Sequence, residues 1–185
     1  MKINISKIEA AEIQLNEAIF LFFDNANPVV IETLIGAVMG ILRPLGIKYG
    51  IQAPIHDTDM IKPEHKKRWI KDYLHKAQNF CKHSDKDPKA ILSYETDLLP
   101  SCILEACYLF RHLSSDKCLK YRQSQSAIMY ETWFGFRYPE SLKDSVKFNK
   151  VLKDAASKLN SFSFDDFNSF EIMKLTADHF RIKRQ

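Results

Sequence analysis

From Val29 to Leu42 the chain carries only two polar residues, Glu32 and Thr33. A helix that is apolar on nearly every side must be covered on nearly every side, so the run predicts the middle helix of a bundle. Asn27 is placed to cap it, and Pro28 suits the first helical position, where a missing N–H leaves nothing unsatisfied. A bilayer span takes ~20 apolar residues, and this run is shorter. Gly36 and Gly40 lie one turn apart and predict a small-residue face on which the first helix approaches closely.

The cover has to come from the flanking segments. Ser6-Lys-Ile-Glu9 has the form of a capping box, and Ile8, Ala11, Leu15, Ala18, Ile19 and Phe22 follow at helical spacing. Residues 43–62 read as a long connection holding Pro44, Gly46, Gly50 and Pro54, with a short extended piece over Ile47–Ile51. A third helix is expected from Pro63 to Lys82 or His83, its apolar face built from Trp69, Ile70, Tyr73, Leu74, Ala77, Phe80 and Cys81. Asp87-Pro88 reads as the start of a short helix over Lys89–Tyr94. A fourth helix starts at Asp97 and carries Leu99, Cys102, Ile103, Ala106, Phe110 and Leu113 on one stripe. Further helices are expected over Cys118–Phe136, Leu142–Leu159 and Asp165–Phe180. Only five glycines occur, which disfavours a turn-rich β architecture. The expectation is an all-α bundle of six to seven helices with little or no sheet. Residues 1–140 would form the core domain, and residues 141–185 a helical hairpin packed on the core or used in oligomerisation.

A net charge of +4 permits contact with nucleic acid without requiring it. Cys81, Cys102, Cys107 and Cys118 form no C-x-x-C pair. The N-terminus Met-Lys-Ile-Asn-Ile-Ser leads into a charged helix rather than a secretory signal, so reduced thiols and a cytoplasmic location are expected. Neither a phosphate-binding P-loop nor a dinucleotide-binding glycine pattern is present, and no cofactor or metal is expected.

The groups able to do chemistry gather near the end of the third helix. On an unbroken helix Asp72, Lys76, Asn79 and His83 fall on one strip beside the apolar face. His83 would serve as a base with a pKa near neutrality. Lys76 and Lys82 would stabilise charge on a phosphate, and Asn79 would position it. Asp85 and Asp87 in the exit would orient His83 or contribute to binding, beside Asp72. A histidine in a last helical turn also has an ordinary role as a partner for free carbonyls. His56-Asp57 reads as a turn before the third helix, with Thr58 or Asp59 as cap. A metal reading would gather His83, Asp85 and Asp87 with His56 or His75. The aromatic run Trp133–Tyr138 reads as a core plug, with a base-stacking platform as the alternative.

The segment Asn79-Phe-Cys-Lys-His83-Ser-Asp85-Lys-Asp87-Pro88 resembles the signature of a bacterial family of small uncharacterised helical proteins, as does the first helix from Ala10 to Phe23. A more distant resemblance is to HEPN domains. Those are helical bundles, often ribonucleases of toxin and antiviral systems, that commonly dimerise. Their motif is an arginine, a polar residue and a histidine; Asn79 and His83 match the last two, and Lys76 stands where positive charge is needed. The resemblance implies a metal-independent ribonuclease in stress or phage defence, with a homodimer and an RNA partner. The alternative is a non-catalytic helical module that binds a protein or nucleic acid. Neither reading involves a membrane.

Overall fold

The computed structural model describes residues 2–82 and 88–138. Helix α1 spans Lys7–Phe23, α2 Pro28–Lys48, α3 Pro63–Arg68, α4 Lys76–Lys82, α5 Leu99–Leu113 and α6 Gln125–Arg137. A π-helical segment, Trp69–Leu74, joins α3 to α4. Among the described residues there is no strand, and the fold is all-α. The first compact unit ends at Tyr130, inside α6. The helices expected after residue 141 lie outside the described residues.

In that first unit α2 is the helix the others pack around, against α1, α4 and α5. The local signals that start α1 and α2 act as expected. The Ser6 hydroxyl accepts from the Glu9 amide while the Glu9 carboxylate accepts from the Ser6 amide at 2.8 Å. Asn27 Oδ1 accepts from the Val29 amide at 3.0 Å. Ala11, Leu15, Ala18 and Ile19 of α1 are buried, as are Ile31, Ile35, Val38, Met39 and Leu42 of α2. The whole predicted stripe of α5 from Leu99 to Leu113 is buried too.

Several segments differ from their sequence expectation. Helix α2 runs through Pro44 to Lys48, so no extended piece forms at Ile47–Ile51. The carbonyl that a proline leaves without a donor lies four residues back, here on exposed Gly40, where water can reach it. At its full 21 residues α2 is long and apolar enough, by length and composition, to cross a membrane. Gly36 does not receive α1. A Cβ there would meet the Gln78 side chain of α4 at 2.5 Å, and one on Gly40 would meet nothing. The expected helix over Lys89–Tyr94 is absent; the segment does not bury its apolar residues on one face, with Ile91 on the surface and Leu92 and Tyr94 half-buried. Helix α6 starts at Gln125 rather than Cys118, because Ser124 caps it by accepting from the Ala127 amide at 3.1 Å.

Candidate functional site

Glu105 sits in the middle of α5, among apolar neighbours, and its side chain is buried. A buried carboxylate must be compensated, and this one gathers the connection that follows α2. Its Oε1 accepts from the amides of Ile55 at 2.6 Å and His56 at 3.0 Å, and its Oε2 lies 2.5 Å from His56 Nδ1. The rest of the connection is tied down as well. Trp69 Nε1 donates to the Ile55 carbonyl at 3.2 Å. Asp57 accepts from Arg43 at 2.6 Å and from the Ala53 amide at 3.0 Å. Burial pushes the Asp57 carboxyl up, but the Arg43 bonds and the Ala53 amide together hold it below its ordinary value.

His56 is as buried as Glu105, and its other ring nitrogen, Nε2, lies 3.0 Å from Nε2 of His75. The carboxylate accepts only, so His56 donates to it through Nδ1. Where His56 is neutral, its Nε2 lone pair accepts from His75 Nε2, and His75 keeps its own lone pair on Nδ1. Glu105, His56 and His75 form a chain of hydrogen bonds that starts in the core and ends at a half-buried imidazole. The His75 pKa is lowered from 6.5 to about 4, by burial first and then by the fields of His56, Lys82 and Arg43, with Glu105 opposing. His75 is thus neutral at neutral pH.

The backbone that presents His75 is unusual. The π-helical turn Trp69–Leu74 ends at His75, whose amide bonds the Ile70 carbonyl at 2.9 Å. The wider turn changes the angular register, so residues after it do not continue the strip of an unbroken α-helix. Insertions of this kind recur at functional sites. Here the turn also leaves the Lys71 carbonyl to accept from Asn79 Nδ2 at 3.1 Å.

The sequence-derived strip is accordingly divided. His83, Asp85 and Asp87 lie outside the described residues. Asn79 braces the π turn. Lys76 Nζ donates to the Ser93 carbonyl, and Asp72 pairs with Arg68 at 3.7 Å. Asp72 and Lys76 line one cleft, of which Asn79 is not a lining residue. Lys82 is exposed at the end of α4 and acts on His75 through its charge. His56 lies in a turn, as expected, but it is also buried and paired. Its partner His75 was reachable from sequence only through the metal reading, and Glu105 only as a lone charge among the apolar residues of α5. Among the described residues no group of three or more His, Cys, Asp or Glu converges as a metal site.

Comparison of the chain with protein-family models, with curated proteins and with solved structures gives no match. The chemistry of the site is therefore the ground on which a function is argued.

Proposed function

We propose that this protein cleaves RNA without a metal, with His75 as the general base. The observation that carries the reading is the chain Glu105–His56–His75, ending on a neutral, half-buried imidazole in the field of Arg43 and Lys82. His75 Nδ1 would take the proton of a ribose 2′-hydroxyl as its oxygen attacks the adjacent phosphorus. The proton on His75 Nε2 shifts toward His56 as charge develops, and Glu105 stabilises the resulting imidazolium. The bond to the 5′-oxygen breaks, water protonates that oxygen, and a 2′,3′-cyclic phosphate remains. A base with a low ground-state pKa is weak alone; the carboxylate behind it strengthens it in the transition state. Lys82 and Arg43 supply positive charge for the phosphate. The segment from Lys62 to Lys82 is rich in lysine and arginine, which favours a polyanionic substrate. The resemblance to HEPN ribonucleases implies the same reaction class, with His83 rather than His75 as the base.

A non-catalytic reading rests on a specific observation of its own. Both Glu105 oxygens are already occupied, so the cluster fully accounts for itself as a clasp that fixes the α2–α3 connection to α5. The protein would then be a helical interaction module. Cleavage of labelled structured RNA in EDTA separates the two. The parent is expected to cleave, His75→Ala to lose at least ~100-fold in rate, the scale of general base catalysis, and His83→Ala to lose far less; the reverse order would move the base to His83. Equal background from parent and folded His75→Ala would overturn the ribonuclease reading and leave the interaction module.

A further inference from the structure

A cleft of about 330 Å³ opens beside α2 and is lined by Glu32, Tyr73, Tyr94, Glu95, Asp97 and Leu99 among others. Its size is at the low end for small-molecule pockets, ~300–1,000 Å³. The lining is divided by chemistry. Leu74, Leu99 and Cys102 give an apolar floor, Tyr73 and Tyr94 add aromatic faces, and the carboxylates of Glu95, Asp97 and Asp72 surround them. Among the described residues Lys76 is the one lysine in the lining, and its ammonium is bound to the Ser93 carbonyl.

Glu32 is the residue without a ready structural explanation. It lies on the otherwise apolar α2, is 8% exposed, and faces this cleft. Among the described residues its only hydrogen bond comes from the Ala77 amide to Oε1, at 3.3 Å. Among the described residues no donor reaches its other oxygen. Burial raises the Glu32 pKa, with the Ala77 bond opposing. Placing such a group costs stability unless something compensates it.

We propose that the cleft binds a small alkylammonium ligand, the ammonium on Glu32 and the hydrocarbon chain on Leu99 and the tyrosine rings. Carboxylates exclude an anion, and the apolar floor favours an organic amine over a hydrated metal ion. Tyrosine faces attract a cation further. His75 is not among the lining residues and the binding needs no RNA, so the proposal stands or falls independently of the ribonuclease reading.

The test is calorimetric titration of the full chain with cadaverine, a short diamine, and with pentanediol, its neutral counterpart of equal length. Saturable binding of the diamine and none of the diol is expected. Glu32→Gln, which keeps the shape and removes the charge, is expected to weaken binding at least ~10-fold, or 1.4 kcal/mol. Asp97→Asn, on an exposed residue that leaves the fold intact, is expected to weaken it ~3-fold, as a surface charge does. Absence of diamine binding, equal binding of diol and diamine, or unchanged affinity in both variants would overturn the proposal.

Discussion

Glu105 accepts three hydrogen bonds at a buried position, so removing it orphans two amides and an imidazole at once. Glu105→Ala is expected to cost ~3–5 kcal/mol, the range for breaking a buried pair from one side. Glu105→Gln keeps an acceptor for the amides but sets an amide donor against His56 Nδ1, and should cost ~1–3 kcal/mol. Urea unfolding of the two variants beside the parent checks both. His75 makes a pH-dependent contribution of definite sign. Above about pH 6.5 it is neutral in both folded and unfolded chains and adds no pH dependence. As pH falls from there to about 4, the unfolded chain takes up a proton that the folded chain refuses, so stability is lost by up to roughly 3 kcal/mol. Urea melts across that window should show the loss in the parent, and a smaller one in His75→Gln. Residue identity alone did not reveal this cluster. His56 and His75 lie 19 positions apart and Glu105 a further 30 away, and nothing in periodicity reports that three elements converge.

Two glycines of α2 make a paired test at the scale of the element. Gly40 faces open space, so Gly40→Ala should stabilise by ~0.5–1 kcal/mol, the ordinary helical preference for alanine. At Gly36 the same change drives a Cβ into the Gln78 side chain, and overpacking of ~1–3 kcal/mol should exceed that gain. Shortening the neighbour in Gly36→Ala/Gln78→Ser should recover most of the loss; thermal melts of the single and double variants check this. The helices were legible wherever caps and stripes agreed, as in α1, α2 and α5. They were less legible from Pro63 to Lys82, where an apolar face persists across a π turn. That turn is fixed by tertiary partners, the Trp69 bond to Ile55 and the pairing of His75 with His56, and periodicity carries no trace of either.

At the scale of the whole first unit, Glu12 ties its two ends together. The carboxylate lies on α1 and is buried, and it receives Arg122 at 2.8 Å and the Tyr121 hydroxyl at 2.8 Å, about 110 residues later. Arg122→Ala should cost ~1–3 kcal/mol by leaving Glu12 with one donor. Arg122→Lys should recover only part of that, since an ammonium does not supply the forked pair of bonds; thermal melts of both variants check the order. The all-α class followed from α2 together with its neighbours, because a helix apolar on nearly every side demands cover and the remaining segments offer helical stripes rather than strands. Which polar side chains lie inside that cover was not legible, since Glu12, Glu32 and Glu105 become buried only through partners far away in sequence.

The relay from Glu105 to His75 is most directly tested by a nitrogen-resolved NMR titration of the histidine side chains. The predicted result is a His75 ring that stays neutral to about pH 4, protonated at Nε2, beside a His56 ring protonated at Nδ1. A His75 that titrates freely near pH 6.5, with no coupling to His56, would contradict the relay and remove the basis for placing a catalytic base there.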